Sequence, residues 1–194
     1  MPAPLTPAQF TYYEHLCNKR VALIVVNGPS GTGKTFLASK AGNDHVSANA
    51  YKKLIITRPA VAAGEDHGYL PGTLGDKMKP WVKPMTDHLS KTREPEVIPL
   101  GYMRGLTFDD SWIIADEMQN STKQQMKMIL TRIGHNSKLI VAGDLSQCDA
   151  GHDGLVDLIH RVKNTPSDII KYIQLGEDDV HRSKVVKEIL RLYQ

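Results

Sequence analysis

The chain has 194 residues, 41% of them hydrophobic, and a formal net charge of +3. That length supports one well-packed core and excludes two full domains with a linker, while so mild a basic balance permits nucleic-acid contact without demanding it. Two cysteines, Cys17 and Cys148, are too few for a four-thiolate zinc site. With no secretory signal at Met1-Pro2-Ala3-Pro4 and no run of 18 apolar residues, a soluble, reduced, cytoplasmic protein with no membrane partner is expected.

The first predicted element is a helix over residues 6–19, with Pro7 suited to its first turn. Thr6 and Gln9 have capping-box spacing, so Gln9 either caps this helix or presents its amide to the edge of an adenine; propensity favours the cap. Residues 21–26 read as a buried parallel strand. Directly after it, Gly28-Pro29-Ser30-Gly31-Thr32-Gly33-Lys34-Thr35 matches G-x-x-x-x-G-K-[ST] in full, followed by a helix-competent stretch at residues 36–40. Glycines let backbone N–H groups turn inward around a phosphate, and the helix N-terminus adds partial positive charge. Lys34 neutralises β- and γ-phosphate oxygens, and the Thr35 hydroxyl is placed to ligate Mg²⁺. An accidental Gly-rich turn would not need both flanks to be right.

A second strand is predicted at residues 54–57. Residues 60–99 are rich in proline (Pro71, Pro80, Pro84, Pro95, Pro99) and glycine, and read as a loop-rich insertion within a single domain spanning residues 1–194. A short strand at residues 96–99 precedes a turn carrying Arg104. The strand predicted at residues 111–115 ends in Asp116 and Glu117. Asp116 would hold Mg²⁺ through its water shell and Glu117 would polarise the attacking water; the competing reading is an acidic helix N-terminus. In residues 121–133 the stripe Met126, Ile129, Leu130 and Ile133 predicts an amphipathic helix, with Ser121 and Gln124 at capping-box spacing. Another strand, residues 138–142, runs into a turn with Asp144 and Gln147. A Gln amide both donates and accepts, so Gln147 would bridge the γ-phosphate and the lytic water, unless it is an ordinary solvated turn residue. A strand at residues 171–175 and a helix at residues 183–193 close the series. Strand–helix alternation of this kind predicts a three-layer α/β domain with a mainly parallel sheet. His152, His160 and His181 follow no zinc spacing, and Met126 and Met128 read as core or helix surface.

Taken in order, these segments resemble the PhoH-like ATPases, relatives of the first RecA-like domain of superfamily 1 helicases. Thr6–Gln9, the phosphate loop, Ile56-Thr57-Arg58-Pro59-Ala60-Val61, Gly68-Tyr69-Leu70-Pro71-Gly72, Asp116-Glu117-Met118-Gln119-Asn120, Gly143-Asp144-Leu145-Ser146-Gln147 and Asp179-Val180-His181-Arg182 carry the likeness over nearly the whole chain. It implies a RecA-like P-loop NTPase core of about five strands, with Asp116 and Glu117 as the Walker-type acids. It also raises Gln9 as an adenine contact, which is the ground for ATP over GTP. Met118 departs from the Ala common in the family. Some relatives carry an RNA-cleaving or RNA-binding extension for which these residues leave no room, so nuclease activity is not implied.

Helicases of superfamily 1 place ATP between two such domains, the second supplying arginines to the γ-phosphate. An arginine finger is worth roughly 10³–10⁵ in rate, so a lone domain is expected to self-associate, and the resemblance points to a hexameric ring. Arg132, Arg182 and Arg104 are the candidate fingers, each equally readable as a structural ion pair or helix-end cation. Arg58 lies where the relatives touch single-stranded RNA or DNA; Lys77, Lys79, Lys83 and Trp81 would add charge and stacking. The expectation is thus a Mg²⁺-dependent, oligomeric, nucleic-acid-linked ATPase. A thymidine-kinase-like enzyme and a nucleotide-gated assembly switch are the alternatives; the first usually needs four zinc-binding cysteines, and the second needs no water-polarising pair.

Overall fold

The structure is a computed structural model, and it describes residues 4–59, 83, 85, 94–148, 151–180 and 185. The strands are β1 (Leu23–Asn27), β2 (Lys53–Thr57), β3 (Glu96–Val97), β4 (Ser111–Ala115), β5 (Lys138–Gly143) and β6 (Ile170–Gln174). The helices bounded within the described residues are α1 (Pro7–Cys17), α2 (Lys34–Ser47), α3 (Lys123–Leu130) and α4 (Gly154–Asn164). The six strands form one sheet in the order β3-β2-β4-β5-β1-β6, and every pairing is parallel. All five longer strands fall within a residue or two of the predicted runs, and the short segment at residues 96–99 becomes the two-residue edge strand β3.

Near-continuous apolar runs are needed because both faces of the sheet are covered. On one face Ile24, Val26, Trp112, Ile114, Ile140 and Ala142 pack beneath α1 and α2. On the other, Val25, Ile113, Leu139 and Val141 pack beneath α3, α4 and the 3₁₀ turn Leu100–Met103. α4 is absent from the predicted elements, although its buried Leu155, Leu158 and Ile159 lie on one helical stripe with the half-buried Val162.

Two helix starts show how capping is chosen. Thr6 caps α1: its hydroxyl accepts from Gln9 N at 3.2 Å and its own N–H donates to Gln9 Oε1 at 3.0 Å. At α3 the box is Thr122 with Gln125, not the predicted Ser121 with Gln124. Ser121 is buried and donates its hydroxyl to Met118 O at 2.6 Å, so it is committed to the preceding turn. The far end of α1 is tied to the sheet by Lys138, 1% exposed, whose Nζ donates to the carbonyls of His15, Leu16 and Asn18 at 2.7–3.1 Å. Burial pulls this ammonium down to about 8, while the three carbonyls at a helix C-terminus hold its proton.

Trp112, fully buried on β4, stacks on His45 at 5.2 Å and lies against α2 at Gly42. A Cβ on Gly42 would come within 2.6 Å of the indole ring. Gly42→Ala is therefore expected to destabilise the fold by about 1–3 kcal/mol through overpacking, outweighing the roughly 1 kcal/mol that Ala offers in a helix interior. A lower urea midpoint is the measurement; a raised midpoint would contradict the packing argument. No described helix is long and apolar enough to cross a membrane.

Candidate nucleotide site

The carboxyl ends of β1, β4 and β5 open onto a cleft of about 210 Å³. It is lined by Ser30, Gly31 and the stretch from Gly33 to Phe36 together with Asp116, Glu117, Asp144 and Gln147. Because β1 is buried along its length, the chain must turn as soon as it leaves the sheet. Gly31 and Gly33 make that turn at φ of 86° and 82°, a region where a Cβ is strained. Gly33 is also the N-cap of α2 and brings no capping side chain, so the positive end of α2 is presented to the loop. Lys34 Nζ donates to the carbonyls of Gly28 (2.6 Å) and Pro29 (3.0 Å), and Tyr12 Oη braces the helix start by donating to Lys34 O at 3.0 Å. Thr32 is fully buried, with its hydroxyl donating to Pro29 O at 2.8 Å.

Thr35 Oγ1 donates to Asp116 Oδ1 at 2.6 Å. Asp116 is 7% exposed; burial pushes its carboxyl above the usual range, the bond from Thr35 opposes this, and the neighbouring Glu117 adds to it. Two hard oxygen donors in contact, one of them a carboxylate short of solvation, suit a small divalent cation that keeps part of its water shell. Glu117 leaves β4 in the left-handed region, at φ 53° and ψ 34°, which costs a side-chain-bearing residue roughly 1–2 kcal/mol. That reversal sets its carboxylate in the cleft, where Gln119 Nε2 donates to Oε2 at 2.6 Å and the Arg58 guanidinium lies 3.6 Å from Oε1. Gln147, exposed at the end of the turn after β5, donates through Nε2 to Asp144 Oδ2 at 2.7 Å.

The cleft thus gathers Ser30, Gly31, Gly33, Lys34 and Thr35 of the predicted loop with Asp116, Glu117 and Gln147, whereas Gly28, Pro29 and the buried Thr32 do not line it. Gln9 stands behind the loop, 1% exposed: beyond its capping bonds, Nε2 donates to Thr32 O and Asp179 O, both at 3.0 Å. Arg132 is not brought to the cleft. Its C=O accepts from Phe108 N at 3.0 Å in the segment before β4, at the opposite end of the parallel strands, while its N–H donates to Ile129 O at 2.9 Å. Its guanidinium donates to Met128 O, Leu106 O and Thr131 Oγ1, fastening the end of α3. Arg104 is exposed and does not line the cleft. Arg182, Lys77, Lys79, Trp81 and His181 lie outside the described residues, as do most of residues 60–99 and the helix at residues 183–193.

Three residues in or beside the site have roles that the sequence motifs do not assign. Phe36, 46% exposed, lines the cleft beside the phosphate loop. Asn27 ends β1 and joins two neighbours: Oδ1 accepts from Leu145 N and Nδ2 donates to Gln174 Oε1, both at 3.0 Å. Gln119 is buried between the turns after β4 and β5. A polar side chain ending a buried apolar run was the available signal for Asn27. For Gln119 the signal was its place inside the acidic motif.

A family model described as PhoH-like protein matches residues 3–194. A PhoH-like protein of Bacillus subtilis is 42% identical over 190 residues, covering 90% of this chain and 59% of that protein. Protein PhoH of Escherichia coli K12 is 33% identical over 203 residues, covering 96% and 56%. The chain therefore spans little more than half the length of these curated relatives. Among solved structures, a large terminase from a thermophilic bacteriophage superposes with a TM-score of 0.58 at 14% identity, over 97% of this chain and 50% of that one. The same likeness holds for that terminase in complex with ADP. The sheet and its flanking helices are those of a RecA-like P-loop NTPase fold.

Proposed function

The chain belongs to the PhoH-like protein family, and from that premise we propose that it binds ATP with Mg²⁺ and hydrolyses it in the cleft at the ends of β1, β4 and β5. The observation that carries this reading is the joining of Thr35, at the end of the loop, to Asp116 at 2.6 Å, with Glu117 lining the same cleft. Loop N–H groups and the α2 N-terminus would receive the phosphates, and Lys34 would exchange its two carbonyl acceptors for phosphate oxygens. Thr35 and Asp116 would hold Mg²⁺, which supplies charge neutralisation to the triphosphate. Gln147 would orient a water in line with the γ-phosphorus, and Glu117 would take its proton. The water oxygen bonds to that phosphorus as the β–γ bridge breaks, releasing ADP and phosphate. Gln9 would read an adenine edge only by giving up its bonds to Thr32 O and Asp179 O, so the preference for ATP over other nucleotides rests on the family resemblance.

None of the described residues lining the cleft is an arginine. As the family resemblance implies, a neighbour would supply a further cation to each site in a head-to-tail ring. Arg182 remains a proposed finger, whereas the placement of Arg132 favours its helix-end role. Arg58, next to Glu117, would link the site to single-stranded RNA or DNA. The expected result is Mg²⁺-dependent phosphate release from ATP that rises several-fold with single-stranded RNA or DNA. No release from any nucleoside triphosphate would remove the hydrolysis reading, and no response to either polymer would remove the nucleic-acid link. Transfer of labelled γ-phosphate to a nucleoside would replace both with a kinase.

A further inference from the structure

Gly143 ends β5 where the strand meets the cleft. A Cβ there would lie 2.9 Å from Gln119 Oε1, 3.0 Å from Gln119 N and 2.5 Å from Leu155 Cδ2. The strand end is therefore bare where the Gln119 side chain crosses it. That side chain is 1% exposed and both of its amide ends are committed. Nε2 donates to Glu117 Oε2 at 2.6 Å, and Oε1 accepts from Asp144 N at 3.1 Å. A third tie runs through its backbone, where Gln119 O accepts from Cys148 Sγ at 3.3 Å. Asp144 in turn accepts from Gln147 Nε2 at 2.7 Å and from Ser146 N at 3.0 Å. One buried amide is thus bonded at one end to Glu117 and at the other to the turn that carries Gln147.

Making both bonds takes a donor and an acceptor on one rigid plane, which the Gln119 amide supplies without ionising. In a buried site such bonds are strong, and moving one partner without the other leaves a polar group unsatisfied. We propose that Gln119 is a positioning residue that couples the Asp144–Gln147 turn to Glu117, so that contact of Gln147 with a γ-phosphate sets the Glu117 carboxylate in line for its water. The coupling rests on the ATP-hydrolysis reading above. It makes base alignment conditional on a triphosphate, and it assigns a reason to the glycine at residue 143.

Gln119→Glu separates the two bonds, because the carboxylate still accepts from Asp144 N but no longer donates to Glu117. Gln119→Met keeps the volume and loses both. Each variant of the full chain is assayed for Mg²⁺-ATP turnover, for binding of a non-hydrolysable ATP analogue and for its melting temperature. In Gln119→Glu, kcat is expected to fall at least about tenfold while KM and analogue affinity stay within about twofold of wild type. The double variant Gln119→Met/Gln147→Ala is expected to be no slower than the slower single one, because both would interrupt the same chain. Turnover of Gln119→Glu within about twofold of wild type would overturn the coupling, as would strictly multiplicative losses in the double variant. Equal movement of kcat, KM and melting temperature in both single variants would reduce Gln119 to a structural bond. If the wild-type chain itself releases no phosphate, it is the hydrolysis reading that falls, and the coupling with it.

Discussion

Glu117→Gln is expected to slow ATP hydrolysis by about 10²–10⁴, the range in which a positioned general base contributes, while nucleotide affinity stays near that of wild type. The replacement is nearly isosteric. Its amide oxygen still accepts from Gln119 Nε2, so the left-handed turn at φ 53° has every reason to persist. What is lost is a carboxylate able to take the proton of water. The charge beside Arg58, 3.6 Å away, is lost too. Binding is expected to survive because an ionised Glu117 has no donor to offer a triphosphate. Single-turnover phosphate release measured beside titration of a fluorescent ATP analogue separates the two quantities. Unchanged turnover would strip Glu117 of its assigned role.

Lys34→Ala is expected to weaken nucleotide binding by about two orders of magnitude, from the loss of roughly 3 kcal/mol of charge-assisted bonds to phosphate. Lys34 Nζ now lies on two carbonyls of its own loop, Gly28 and Pro29, and these acceptors are weaker partners than a triphosphate. Exchange of one set for the other is therefore favourable, and a truncated side chain cannot make it. Melting temperature with and without Mg²⁺-ATP gives the readout, since a ligand bound only by the folded state stabilises it by RT ln(1 + [L]/Kd). Wild type is expected to gain several degrees, and Lys34→Ala little at the same concentration. An equal gain in both would place the phosphates elsewhere.

Much of the site is legible in local pattern because phosphate chemistry constrains consecutive residues. The loop from Gly28 to Thr35 must supply turn glycines, a cation and a hydroxyl at fixed spacing, and the strand before it must be apolar because it is buried on both faces. Asp116 and Glu117 announce themselves in the same way, as acids at the end of a buried run. Other features fail to show for definite reasons. Ser121 and Thr122 offer the same capping spacing, and only the bond from Ser121 to Met118 O decides between them. Arg132 had equal standing as a finger or a helix-end cation until its peptide paired with Phe108 at the far end of the strands.

By itself, the order of residues determined the strand runs, the phosphate loop and the identity of the acids, since each depends on neighbours within a few positions. Tertiary structure alone decided which strand ends share a cleft, that Glu117 turns back at a positive φ, and that Gln119 spans from residue 117 to residue 144. Those outcomes follow from parallel pairing of β4 with β5 and of β5 with β1. Such pairing joins segments far apart in sequence and aligns all their carboxyl ends on one side, and no local pattern records that alignment.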